Sequence, residues 1–259
     1  MSQRVIGASP GSLQFLGKKR VEDVTMRMTV YDCDSLSVTN DFDLASMGQL
    51  DHQKNYWLEV SGIHDASIIA SICDRFAIHA LVLESILDTS SQPLFEDLGD
   101  SLFTEVKVSF AGEAGEDPDI QQLSIVLTQG VMITFVEQSL DIFAPIQKRL
   151  RVKKSRIRTK GLDYLKWAVL DLVTDHALHH IDQIEQKLET LESCISNDRE
   201  LPELTEVHDT RREVAAVHKA IRPFREISNT LRQGESSLLT SESRAYFNDL
   251  SFHKINRLQ

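Results

Sequence analysis

Little in this sequence offers a ready-made chemistry. Cysteine is scarce: Cys33, Cys73 and Cys194 are the only three in 259 residues, and none forms a CxxC pair. That spacing excludes a thiolate zinc cage and a disulfide framework, and it suits a reducing cytoplasm. Long apolar runs are missing too. No stretch approaches the roughly 20 apolar residues of a membrane helix, and residues 1–20 are polar and broken by Pro10 rather than shaped as a signal peptide. The chain as given reads as soluble. Positive charge is in deficit, with a formal net charge of −11. Nucleic acid is therefore not an expected partner, because phosphate binding needs a basic surface, whereas divalent cations suit an acidic one. GxSxG, GxGxxG and Walker sequences are all absent, which removes the commonest hydrolase, dinucleotide and nucleotide-triphosphate sites.

What is present is an ordinary globular composition, 41% hydrophobic and 26% charged, sufficient for a real core. The first half reads as mixed α/β. Residues 24–31 alternate Met26, Met28 and Val30 on one face, the period-2 mark of a strand. Residues 56–60 form a second candidate strand. Asp65 is placed to cap a helix carrying Ile68, Ile69, Ile72, Cys73 and Phe76, and a short helix over 80–87 follows. Strands are expected at 102–110, 123–127 and 131–136, with Gln129-Gly130 as a two-residue hairpin turn. Ser139 is expected to cap a helix beginning near Leu140. Such an order predicts helices packed on an antiparallel or mixed sheet.

From Gly161 the period changes. Trp167, Leu170, Thr174, Ala177, Ile181, Ile184, Leu188, Leu191 and Ile195 recur at alternating spacings of 3 and 4, a heptad seam. The seam breaks at 197–202, where Pro202 suits the first turn of a new helix. It resumes with Val207, Val214, Val217, Ile221, Phe224 and Leu231, with Thr210 and Ser228 as polar exceptions. Two long helices joined by a short loop should pack antiparallel. A third helix begins near Ser241 and has no stop signal before Gln259, which reads as a helix still running. The fold class is thus α+β, an α/β/α sandwich on a largely antiparallel sheet, followed by a helical hairpin and a further helix. The expected units are 1–160, 161–233 and 234–259.

Three charged clusters each have two readings. The basic run from Lys148 to Arg158 is either a patch for anionic lipid or an acidic neighbouring subunit, or a solvated helix end and linker. His176 and His180, four apart beside Asp175 and His179, share a helix face that either binds one metal or packs between helices. Asp171, Asp175, Asp182, Glu185, Glu189 and Glu192 line one side of the first long helix, either as a solvated face or as a stripe whose upper end binds a hard cation such as Mg²⁺.

Several segments together resemble the cytoplasmic region of the CorA family of divalent-cation transporters. The clearest is Phe76-Ala-Ile-His-Ala-Leu-Val-Leu-Glu84-Ser85-Ile-Leu87 followed by Gln92-Pro93, similar to the family's FGIHPLVLEDIL helix and QRPK-like turn. Supporting matches, in family order, are residues 9–13 (SPGSL), 57–64 (WLEVSGIH), 163–165 (DYL), 221–226 (IRPFRE) and 246–249 (YFND). They cover nearly the whole chain.

The resemblance implies a homopentameric Mg²⁺ transporter at the cytoplasmic face of the inner membrane, with Co²⁺ as a further cation. The third helix would be the head of a stalk leading to two membrane helices and a Gly-Met-Asn pore motif. It also implies no enzymatic activity and regulatory Mg²⁺ held between subunits by Glu84, Asp171, Asp249 and His253, with a carbonyl near Ala8 as a further ligand. Bare acids on two subunits repel, and a bound cation bridges them and holds the ring closed. Ser85 and Phe252 stand where relatives often carry acids, which implies a weaker site. The alternatives are a ZntB-like zinc transporter, favoured by the histidines at 176, 179 and 180; a metal-dependent hydrolase using Asp175, His176 and His180; and a helical adaptor without metal.

Overall fold

A computed structural model describes residues 13–110, 118–139, 141–196, 204–233 and 236–250. Seven strands form one sheet: β1 (Thr25–Tyr31), β2 (Leu36–Thr39), β3 (Asn55–Ser61), β4 (Leu94–Asp97), β5 (Ser101–Phe110), β6 (Asp119–Thr128) and β7 (Val131–Val136). Their spatial order is β2-β1-β3-β7-β6-β5-β4, and every pairing is antiparallel except β3 with β7. The one parallel pair follows from the connection: α1 (Ala66–Arg75) and α2 (Ala80–Leu87) carry the chain away from β3 before the β4–β7 meander returns. The sheet is therefore mixed and largely antiparallel, as its strand pattern predicts.

Each strand sends alternate side chains to opposite faces, and both faces are covered. Met28, Leu58, Val60, Phe103, Val126, Ile133 and Phe135 pack with α1 and α2. Tyr31, Trp57, Leu102, Val106, Leu123, Ile125 and Met132 face the other way, onto α3 (Ala144–Arg151), α4 (Arg156–Thr159), α5 (Leu162–Ser196), α6 (Leu204–Ile221), α7 (Phe224–Gln233) and α8 (Ser241–Asp249). Trp57 anchors this second core. It is fully buried, donates Nε1–H to Thr134 Oγ1 at 3.1 Å and meets Phe143 edge-on at 5.5 Å.

Local expectations hold in several places. Asp65 caps α1, its Oδ1 accepting from the Ser67 and Ile68 amides, and Gly130 turns the β6–β7 hairpin at φ +88°, a conformation glycine adopts freely. Others are corrected. The helix expected near Leu140 starts instead at Ala144, after a 3₁₀ turn at Asp141–Phe143, and Phe143 rather than Ser139 sits at its cap without a side-chain bond. Pro145 in the first turn has no N–H to satisfy, so a polar cap is less needed there. Leu140 and the break at 197–202 lie outside the described residues, as do Ala8 and residues 251–259.

The second heptad stretch is two helices, not one. It divides at Arg222-Pro223, because proline cannot continue the backbone ladder and clashes with the preceding turn. Val207 and Val214 are each 40% exposed, and the inward face is formed by Thr210, Glu213, Val217, Ala220 and Ile221. Within the basic run, Lys148, Arg149, Arg151, Lys153, Lys154 and Arg156 are exposed. Arg158 is buried, its guanidinium donating to the carbonyls of Asp32 and Ser35. No helix among the described residues is long and apolar enough to cross a membrane.

Candidate metal site and the helices that position it

Glu84 stands half-buried in the last turn of α2. That helix forms because Val82, Leu83, Ile86 and Leu87 bury against the sheet, while His79 caps it by accepting the Leu81 amide at Nδ1, 3.2 Å away. Asp171 is half-buried on α5, and Asp249, exposed, is the last residue of α8. His253 lies outside the described residues.

α8 is held alongside α5 at two levels. Asp163 in the first turn of α5 accepts from the Thr240 amide at 2.9 Å and from its hydroxyl at 2.7 Å. Further along, the Tyr246 ring packs 5.1 Å from Tyr164 and 5.0 Å from Trp167. The two helices therefore run in the same direction. Asp171 lies four residues beyond Trp167 and Asp249 three beyond Tyr246, so both acids occupy the next turn of adjacent helices. Glu84 belongs to the opposite layer, with the sheet between it and that pair. One copy of the chain thus does not bring all three carboxylates together.

The histidines do not converge. His180 is buried, with Nδ1 at 3.1 Å from Ser109 Oγ and Nε2 at 2.9 Å from Glu213 Oε1. His176 packs edge-on against Phe110 at 6.0 Å, where burial lowers its pKa, and exposed His179 pairs with Gln183. Both nitrogens of His180 are already engaged in joining α5 to β5 and α6, which favours the packing reading. Beyond Asp171, the acids Asp175, Asp182, Glu185, Glu189 and Glu192 of the stripe are exposed on the outer side of α5.

One group of potential ligands escaped the sequence reading. Asp32, Cys33 and Asp34 in the β1–β2 turn bring their ligand atoms within 4.8 Å of one another. The Asp32 carboxylate already accepts from the Asp34 and Ser35 amides and the Ser35 hydroxyl, which holds it down at about 2. This is the signature of a turn closing on its own backbone.

A mixed sheet covered by short helices on one face and a long helix pair on the other is a fold shared with several solved proteins. The soluble domain of CorA from Methanocaldococcus jannaschii superposes with a TM-score of 0.69 at 18% identity, over 89% of this chain and 88% of that one. Full-length CmaX gives 0.77 at 18% identity, over 93% of this chain and 73% of that one. The ZntB cytoplasmic domain from Vibrio parahaemolyticus gives 0.65 at 18%, over 90% and 92%.

In sequence, the chain is 27% identical over 250 residues to the cobalt/magnesium transport protein CorA of Thermotoga maritima, spanning 96% of this chain and 71% of the relative. The family model described as CorA-like Mg2+ transporter protein matches residues 52–258, and the chain belongs to that family.

Proposed function

We propose that this chain is the cation-sensing, gating and assembly part of a CorA-type Mg²⁺ transporter at the cytoplasmic face of the inner membrane, with Co²⁺ a second cation. In this reading five copies form a ring. Its units are the α/β part (1–160), the helical hairpin (161–233) and the head of a stalk (234–259), beyond which membrane helices would follow. Mg²⁺ bound between neighbouring copies by Glu84, Asp171, Asp249 and His253 holds the pore closed.

The observation that carries this reading is the placement of Glu84 on one layer and of Asp171 and Asp249 on the other. Carboxylates on opposite layers of one molecule can share a cation only when a second copy supplies the missing partner. The donors also suit the ion: Mg²⁺ takes one or two carboxylates and keeps several of its waters, which partly exposed acids permit. Cation binding would bridge acids that repel when bare, a population shift set by differential affinity.

The test is a Mg²⁺ titration of the purified chain, read by thermal shift and by cross-linked species. A ligand that binds only the folded assembly raises its stability with concentration. Asp249→Ala should weaken that rise; an unchanged response would remove the site assignment. Running Zn²⁺ in parallel separates a ZntB-like carrier, which should respond to zinc at lower concentration.

A further inference from the structure

The last turn of a helix leaves its carbonyls without intrahelical partners. In α2, the helix that carries Glu84, these carbonyls are met largely from outside the helix. The Asp88 amide closes back on Glu84 O and Ser85 O at 3.1 and 3.2 Å. Leu87 O accepts from the Leu16 amide at 2.8 Å, part of a short parallel bridge between Leu16 and Asp88. The rest comes from the sheet: the side-chain amide of Gln122 donates to Ser85 O at 3.1 Å and Ile86 O at 3.2 Å.

Gln122 is itself held. It is 1% exposed, its backbone amide donates to Glu137 Oε1 at 2.7 Å, and its Oε1 accepts from Lys107 Nζ at 2.8 Å. Lys107 lies opposite on β5 and also donates to Thr89 O at 3.0 Å, just past the end of α2. Glu105 closes the network beneath, accepting from Lys107 at 3.4 Å and from the Ser91 hydroxyl. Gln122 and Lys107 thus tie the adjacent strands β6 and β5 to the end of the helix that bears Glu84.

We propose that Gln122 is a positioning residue for Glu84: by fixing the last turn of α2 to the sheet, it sets the affinity of the cation site to which Glu84 contributes. This rests on the reading of Glu84 as a ligand. The reason is geometric. Mg²⁺ demands near-octahedral coordination, and groups that orient a ligand weigh on metal affinity about tenfold or more when removed. Gln122 touches no cation; it acts through the backbone carbonyls of Ser85 and Ile86, the two residues that follow Glu84.

The test is a double-mutant cycle on this chain, with MgCl₂ as the probe and the midpoint of the thermal-shift titration as the readout. Gln122→Met removes the amide while keeping the volume. Gln122→Asn, one methylene short of the carbonyls, serves if the first variant does not fold. Either should raise the Mg²⁺ midpoint about tenfold in the wild-type background and less than about twofold in Glu84→Gln, because coupled residues are not additive. An unchanged midpoint, or the same shift in both backgrounds, overturns the inference and leaves the site reading intact. If Glu84→Gln alone leaves the Mg²⁺ response unaltered, the site reading itself falls. Hydrogen exchange on the unaltered protein needs no variant: Mg²⁺ should protect the amides of residues 85–88, and equal exchange with and without Mg²⁺ also overturns the proposal.

Discussion

The Asp163 carboxylate accepts both the backbone amide and the hydroxyl of Thr240, at 2.9 and 2.7 Å, and so fastens the first turn of the long helix α5 to the N-cap of α8. Thr240 in turn caps α8 by accepting the Ser243 amide. The two helix starts are one hydrogen-bonded unit, and that unit fixes how Asp171 and Asp249 come to neighbouring turns.

Asp163 is 5% exposed but Thr240 is exposed, so removing the carboxylate leaves both Thr240 donors without their protein acceptor while water can reach that residue. Asp163→Ala should cost about 1.5 kcal/mol, the low end of the scale for hydrogen bonds to a charged acceptor, because Thr240 is exposed. Asp163→Asn should cost less, because one acceptor oxygen remains. Urea denaturation of the two variants checks the order.

The His180–Glu213 contact joins α5 to α6, and Lys187 completes it at 2.7 Å from the other carboxylate oxygen. Burial acts to raise the Glu213 pKa, but hydrogen bonds from Lys187 and His180 outweigh it and the pKa is lowered. A depressed folded-state carboxyl contributes stability above its unfolded pKa and loses it as pH falls through the folded value. Glu213→Gln should therefore lower stability at pH 7 and show a flatter acid limb below about pH 4.5 than the wild type. Parallel denaturation curves across that range, with a constant offset, would refute the assignment.

Glu59 behaves in the opposite sense. Burial pushes its carboxyl up to about 7, against the lowering effects of Arg27 at 3.6 Å and of Gln147, which donates to it at 2.9 Å. A raised carboxyl favours folding below its unfolded pKa, and that contribution is lost as pH rises through about 7. Glu59→Gln should raise stability at pH 8 by about 1 kcal/mol and converge with the wild type near pH 4.5. Melting temperatures at both pH values decide it.

Lys166 is fully buried, lies 5.1 Å over the Phe95 ring and has no hydrogen-bond partner for Nζ among the described residues. Burial pushes its amine down to about 7, with Asp97 opposing. Between that value and the ordinary lysine pKa the unfolded chain binds the extra proton, so stability rises with pH across the window. Lys166→Met should stabilise the protein by about 2 kcal/mol at pH 7, with the gain shrinking toward pH 10. A gain that does not change with pH would count against a titrating amine.

The legible parts of the fold are those where neighbouring residues decide the outcome. β5, β6 and β7 announce themselves by apolar runs, and Asp65 is readable as a cap because its acceptor reaches amides only two and three residues on. β2 and β4 were missed: LSVT and LFED are four-residue edge strands whose half-exposed sides carry little pattern. The heptad spacing runs straight through Pro223, although a proline there ends one helix before the next begins. Glu84 and Asp249 are singled out by family resemblance alone, while Asp171 also heads the acidic stripe of the first long helix. Gln122 had no signal at all, because its helix partners lie 36 and 37 residues away.

The sequence by itself determined that a mixed sheet would be followed by long helices, because period 2 and the heptad period are properties of consecutive residues. Only the tertiary structure decided which layer each helix covers, and with it that Glu84 and Asp171 lie on opposite sides of the sheet. The same holds for His180, whose place in a metal site or a packing joint depended on Ser109 and Glu213, 71 and 33 residues distant. Contacts of that range form only when the hydrophobic faces close, and the spacing of residues along the chain carries no record of them.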